Sequence, residues 1–232
     1  MRKVIRTPFR IFVTGTDTGV GKTETAAALL SLLADSGHRP APFKPYESGC
    51  ASVAAPADAL TLKTAAQSDD DLAAICPHRF RAPLAPGVAA ARLGCRSDLR
   101  KTLRAFHTFD DRALVVEGAG GLFVPLDPAH DVIDLIALLN LPVLLVARAR
   151  LGTLNHVALS LHSLAARKIP VAAVVLSRSE ATRDRSERGN AELIRRRHRV
   201  QVLGPVPYEV DPGRRRIAFR RALQLLVKTS GR

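Results

Sequence analysis

The chain has 232 residues, a formal charge of +14, 47% hydrophobic residues, only 4% aromatics and no Trp. This length suits one large α/β domain, residues 1–232, better than two small ones, and its core volume must come from Ala, Leu and Val. No apolar run approaches the ~20 residues that cross a bilayer, so a membrane partner is not expected.

The start, Met1 to Arg10, is basic but leads only into a short strand-like run, unlike a signal peptide. Cys50, Cys76 and Cys95 are odd in number, far apart and without metal-ligand spacing, which reads as free thiols in a cytoplasmic protein. The charge is uneven: from Arg178 to Arg232 there are fifteen Arg and Lys against six Asp and Glu. A basic face can attract nucleic acid. The clusters Arg195–Arg197 and Arg214–Arg216 have no interleaved aromatics, however, so base stacking is not implied and nucleic acid is not the expected partner.

In chain order, strands alternate with helices. Ile11 to Thr14 is a short apolar strand ending at Gly15, and a helix runs from Lys22 to Ser36, stopped by Gly37. Pro42-Phe43-Lys44 reads as a second strand, with Pro45 barring a helix. Asp58 to Gln67 is helical, and Asp58 alone reads as a helix cap. Pro77, Pro83 and Pro86 mark a long irregular loop from Ile75 to Gly87, a kind of segment that is usually functional in a compact domain. Ser97 opens a helix with Leu99, Leu103 and Phe106 on one side, and Ala113 to Val116 is a buried strand running into Glu117. Further helices are expected at Asp131–Leu139, Thr153–Arg167, Ser186–Arg197 and Arg214–Leu226. Strands are expected at Pro142–Ala147, Val171–Leu176 and Gln201–Gly204. Apolar strands separated by helices imply a mostly parallel sheet covered by helices on both faces.

Gly15-Thr16-Asp17-Thr18-Gly19-Val20-Gly21-Lys22-Thr23 lies between the first strand and the first helix, the context that a phosphate loop requires. Glycines let backbone N–H groups wrap phosphates, and the helix N-terminus adds partial positive charge. Lys22 can reach the β- and γ-phosphates, and the Thr23 hydroxyl can ligate Mg²⁺. The first Gly stands one residue earlier than in the common pattern, which has Gly at the place of Thr16.

Four segments in register from Ile11 to about Tyr208 resemble the dethiobiotin synthetase family of the P-loop NTPase superfamily. They are the phosphate loop, Lys44-Pro45 with Ser48-Gly49, Glu117-Gly118-Ala119-Gly120-Gly121, and Leu151-Gly152-Thr153-Leu154-Asn155-His156. The resemblance implies a single-domain P-loop α/β fold and an ATP-dependent cyclo-ligase of biotin biosynthesis. In that family 7,8-diaminopelargonate takes up CO₂ as a carbamate, ATP phosphorylates the carbamate, and the second amine displaces phosphate to close the ring.

Carried over residue by residue, the resemblance implies catalytic roles for Lys22 and Lys44 and Mg²⁺ ligation by Thr23, Asp58 and Glu117. Nucleotide contacts fall on Thr18, Gly19, Val20, Gly21, Lys22, Thr23, Glu24, Asp58, Glu117, Gly118, Ala119 and Gly120. On the base side they fall on Ser177, Arg178, Val206, Pro207 and Tyr208. Ser48 is implied in substrate binding, with Gly152, Thr153 and Asn155 holding the substrate carboxylate across a homodimer.

Three positions depart from the pattern. Tyr46-Glu47 replaces a small pair and adds bulk and negative charge beside the substrate. Gly87 stands where His is frequent. Ser177 stands where an amide reads adenine, so other nucleoside triphosphates could serve, because one hydroxyl cannot make an amide's paired contact. A partitioning-type ATPase that binds nucleic acid or membrane through the basic C-terminal quarter is the alternative. Such proteins carry a second lysine five residues before the invariant one, and Asp17 stands there. A corrinoid-synthesis amidotransferase would normally bring a second, Cys-containing glutaminase domain, for which 232 residues leave no room.

Overall fold

A computed structural model of the chain describes residues 8–178, 180–181 and 184–229. The chain runs through β1 (Arg10–Gly15), α1 (Lys22–Asp35), β2 (Ala41–Phe43), β3 (Tyr46–Ser48), α2 (Ala57–Ala66), α3 (Leu72–Ile75), β4 (His78–Phe80) and α4 (Pro86–Arg92). There follow α5 (Leu99–His107), β5 (Leu114–Glu117), α6 (Val132–Leu139), β6 (Val143–Arg148) and α7 (Thr153–Ala166). The last elements are β7 (Val171–Ser177), a 3₁₀ turn at Arg185–Glu187, α8 (Asn190–His198), β8 (Val202–Val206) and α9 (Pro212–Thr229).

Six strands form one parallel sheet in the order β2-β5-β1-β6-β7-β8. Its strands are apolar throughout because both faces are covered. Alternation along β1 shows the division: Phe12 joins a cluster with Val132, Ile136 and Val157, from α6 and α7. Ile11 and Val13 join the opposite cluster with Leu29 of α1 and Leu223 of α9. Ridges of Ala26, Ala27 and Ala28, all fully buried, let α1 lie close to the sheet.

β1 feeds α1 and then β2 on one side of itself, whereas β6, β7 and β8 extend the sheet on the other side. This reversal creates the crevice at the carboxyl edge where open α/β sheets bind ligands. Gly15, Lys44, Glu117, Arg148 and Ser177 all stand at or just past strand ends on that edge.

The expected helices and strands of the main sheet are present, with end shifts of a few residues. Three segments differ. The Ile75–Gly87 stretch is not irregular: it carries β4, which pairs in parallel with β3 (Tyr46↔His78, Ser48↔Phe80) as a small second sheet, and Pro86 opens α4. Strands of three residues are too short for an alternation to register. The helix expected over Ser186–Arg197 is broken at Arg188-Gly189, where Gly189 takes a left-handed φ of 87° and starts α8 at Asn190. The strand expected at Gln201–Gly204 runs on to Val206. No helix among the described residues is long and apolar enough to cross a membrane.

Candidate active site

The phosphate loop joins β1 to α1, and Lys22 and Thr23 occupy the first turn of the helix. The Lys22 Nζ donates to the Asp17 carbonyl at 2.7 Å. Burial and then the neighbouring Lys44 push its ammonium down to about 8, against the pull of Glu117, Asp17 and Asp58.

Lys44 lies just past β2, where the sheet and α2 enclose it to 4% exposure. Its Nζ sits 2.6 Å from Glu117 Oε1 and 2.9 Å from Asp58 Oδ2. Burial alone would lower its proton affinity, but Glu117 and then Asp58 outweigh it and hold the ammonium above the ordinary lysine range. Burial raises Glu117, which is 1% exposed, despite Lys44 beside it. Asp58, at the cavity wall, is held low by Lys44 against the effect of burial. Thr23 Oγ1 donates to the same Glu117 oxygen at 2.8 Å. Lys22, Thr23, Lys44, Asp58 and Glu117 therefore form one coupled group in a cavity of about 620 Å³.

Glu117 Oε2 is buried with no hydrogen-bond partner, an acceptor left for something outside the protein. Among the described residues no three His, Cys, Asp or Glu converge on a metal cage. The Thr23 hydroxyl with the Asp58 and Glu117 carboxylates instead offers a few hard oxygens. That set fits Mg²⁺, which keeps waters and shares phosphate oxygens rather than being fully caged.

Asp58 does not cap α2. That role falls to Glu47 of β3, whose carboxylate accepts from the N–H groups of Asp58 (3.1 Å) and Ala59 (2.9 Å) at the helix start. The expected negative charge beside the substrate is thus engaged elsewhere. Tyr46 stacks on His78 at 4.7 Å, and its hydroxyl accepts from Thr102 at 3.0 Å. Tyr46 and Glu47 line the cavity, the hydroxyl of one engaged by Thr102 and the carboxylate of the other by the start of α2. Ser48 also lines it, and its buried Oγ has no partner. Gly87 packs against the Pro125–Asp127 turn, where a Cβ would meet the Leu126 carbonyl carbon and the Pro125 oxygen at 3.1 Å, so a His there would require that turn to move.

Thr18, Gly19, Gly21, Glu24, Ala119 and Gly120 line the same cavity. Gly118 does not line it and packs against Phe12. On the far side of the loop, a smaller hollow of about 170 Å³ brings together Val20, Ser177, Arg178, Pro207 and Tyr208, while Val206 is buried beneath them. The Arg178 guanidinium is engaged with Glu187 at 2.8 Å, and the Ser177 hydroxyl donates to the Val20 carbonyl at 2.6 Å. Gly152 and Asn155 are exposed and Thr153 buried, and none of the three lines either cavity. The sequence reading named Glu47 but not its role at the start of α2, and it missed Arg148 at the end of β6, which donates to the Thr18 carbonyl at 2.8 Å. An arginine closing the buried run Val143–Ala147 at the ligand edge of the sheet was the available signal.

A family model described as an AAA domain matches residues 10–215. The ATP-dependent dethiobiotin synthetase of Anaeromyxobacter dehalogenans is 45% identical over 88% of this chain and 92% of its own length. That of Bacillus subtilis is 36% identical over 84% of this chain and 86% of its own. The chain belongs to the ATP-dependent dethiobiotin synthetase family. Membership does not favour a partitioning ATPase, and Asp17 agrees: its carboxylate accepts from the Thr18 N–H at 2.7 Å and lies 3.7 Å from Arg148. Among solved structures, a cobyrinic acid a,c-diamide synthase from Mycobacterium smegmatis with ADP and magnesium aligns over 97% of both chains. At a TM-score of 0.55 and 17% identity, that likeness shows the fold alone.

Proposed function

We propose that the chain forms dethiobiotin from 7,8-diaminopelargonate, CO₂ and ATP, as a cytoplasmic homodimer using Mg²⁺. The observation that carries this reading is the meeting of Lys22, Lys44, Thr23, Asp58 and Glu117 in one cavity beside the phosphate loop. One amine adds to CO₂ to give a carbamate, and a carbamate oxygen attacks the γ-phosphorus of ATP, releasing ADP. The second amine then attacks the carbonyl carbon of the mixed anhydride and expels phosphate, closing the ring.

The reaction moves negative charge between phosphate and carbamate oxygens, so it asks for fixed cations on both. Lys22 faces the transferring phosphoryl group. Lys44, with its ammonium secured by Glu117 and Asp58, faces the carbamate and cannot lose its proton to it. Thr23, Asp58 and Glu117 would hold Mg²⁺, which would supply positive charge against the negative charge of the phosphates.

Ser48, with an unpartnered hydroxyl, contacts the diamine. Gly152, Thr153 and Asn155 lie off the cavity, which suits their service to the substrate carboxylate of the partner subunit at the N-terminus of α7. Val206, Pro207 and Tyr208 flank the base. The test is purified protein with diamine, bicarbonate, Mg²⁺ and ATP. Dethiobiotin that depends on all four supports the reading, and ATP hydrolysis without it overturns the reading.

A further inference from the structure

The sheet places two side chains next to each other on the outer side of the phosphate loop, and both seize loop carbonyls. Arg148, the last residue of β6, is the register partner of Ser177, the last residue of β7. Arg148 Nη2 donates to the Thr18 carbonyl at 2.8 Å, and Ser177 Oγ to the Val20 carbonyl at 2.6 Å. From inside the loop, Lys22 takes the Asp17 carbonyl. We propose that Arg148 and Ser177 are positioning residues that hold the phosphate loop with its amides aimed at the nucleotide's phosphates. The inference rests on reading Gly15–Thr23 as the phosphate site.

The peptide unit is planar and trans, so a carbonyl and the N–H that follows it point in opposite directions. Fixing Thr18 O on Arg148 turns the Gly19 N–H the other way, and fixing Val20 O on Ser177 does the same for the Gly21 N–H. Gly19 and Gly21 are residues of the large cavity. Six of the nine residues Gly15–Thr23 are Gly or Thr, and Gly21 has a φ of 97°. Without outside anchors such a loop must be ordered by its ligand, and that ordering subtracts from affinity.

The two anchors differ in kind. The Arg148 bond is charge-assisted and stronger than a neutral one. The Ser177 bond is buried, with the residue 2% exposed. It also fixes the glycine at position 21, where a Cβ would meet Ser177 Oγ at 3.1 Å. A hydroxyl has one proton. Spent on Val20, it leaves Ser177 no donor for a nucleobase.

The experiment measures binding of Mg²⁺-ATP, Mg²⁺-GTP and inorganic tripolyphosphate to wild type, Arg148→Gln, Arg148→Lys, Ser177→Ala and Ser177→Thr by calorimetry. Tripolyphosphate carries the phosphates and no base. Arg148→Gln and Ser177→Ala are expected to weaken all three ligands about tenfold, with the ATP-to-GTP ratio unchanged within about twofold. Ser177→Thr, which keeps the hydroxyl, restores tight binding, and Arg148→Lys restores part of it. Circular dichroism melts of the ligand-free proteins establish that the variants are folded.

If Ser177→Ala shifts the ATP-to-GTP ratio while tripolyphosphate binds as before, Ser177 reads the base and the inference fails. Unchanged tripolyphosphate binding in Arg148→Gln removes the arginine from it, and failure of wild type to bind tripolyphosphate overturns the whole. None of these readouts needs turnover, so they stand or fall separately from dethiobiotin formation.

Discussion

At the scale of residues, the two lysines have different neighbours and different expected phenotypes. In the proposed mechanism Lys22→Ala removes a cation that faces phosphate, and losing one such contact costs ~10²–10³ in rate. Lys44→Ala should cost as much in rate, and it also strips Glu117 and Asp58 of their counter-charge. Breaking a buried pair from one side destabilises by about 3–5 kcal/mol, less whatever Glu117 recovers by taking up a proton. Turnover paired with urea unfolding separates the two cases: Lys22→Ala loses activity at nearly full stability, and Lys44→Ala loses both. Near wild-type turnover in Lys44→Ala would remove it from the mechanism.

The base is the second matter at this scale. With the Ser177 hydroxyl bonded to Val20 and Arg178 engaged by Glu187, neither side chain offers adenine a free, paired contact. Sites that lack directed hydrogen bonds discriminate weakly. GTP or CTP should therefore support the reaction within about tenfold of ATP in kcat/KM, a gap of ~1.4 kcal/mol. A thousandfold preference for ATP would overturn this expectation. The Ser in place of an amide was legible in the sequence. Its hydrogen bond to the phosphate loop was not, because only the register of β6 and β7 brings residue 177 beside residue 20.

Among elements, the small β3–β4 sheet is where the sequence was least legible and where a pH dependence is expected. Its strands are three residues long, so proline spacing dominated the reading and the pairing was invisible. Yet this sheet places Glu47 to cap α2, and so sets Asp58 beside Lys44. It also stacks His78 on Tyr46. Burial, with Lys101 as a lesser cause, pushes His78 down to about 4, and its Nε2 meets the Asp98 carbonyl at 3.1 Å. An unfolded His takes a proton below its ordinary value of 6.5, whereas the folded one does so only near 4. The stability from keeping His78 neutral is thus fully present above pH 6.5 and is lost as pH falls toward 4. It amounts to about 3 kcal/mol. His78→Phe keeps an aromatic ring without the titration. Urea midpoints at pH 7 and pH 4.5 should fall markedly less in the variant than in wild type. Equal losses would acquit His78.

For the whole molecule, the alternation of apolar strands and helices predicted the parallel sheet, because strands buried on both faces must be apolar along their length. The same logic did not reveal what the C-terminal arginines do. On α9, Arg215 pairs with Glu24 at 3.2 Å and Arg220 pairs with Asp35 at 2.5 Å, fastening α9 to α1 behind the phosphate loop. Part of the basic excess is therefore internal structure, and no sequence period announces partners 185 to 191 residues away.

The assembly is tested by complementation. If Gly152, Thr153 and Asn155 serve the partner's cavity, Lys22→Ala and Asn155→Ala chains mixed under subunit exchange form hybrids with one intact site and regain activity. No rescue in a mixture shown to exchange would place the two residues in one subunit's site.

The central claim is that this cavity builds a ureido carbonyl from CO₂ at the expense of ATP. The most direct measurement is ¹³C-bicarbonate supplied with the diamine, Mg²⁺ and ATP, followed by carbon NMR and phosphate release. The account predicts label at the ring carbonyl of dethiobiotin, one phosphate per ring closed, and neither with Lys44→Ala. Phosphate released without labelled product, or at a rate indifferent to the diamine, would contradict it.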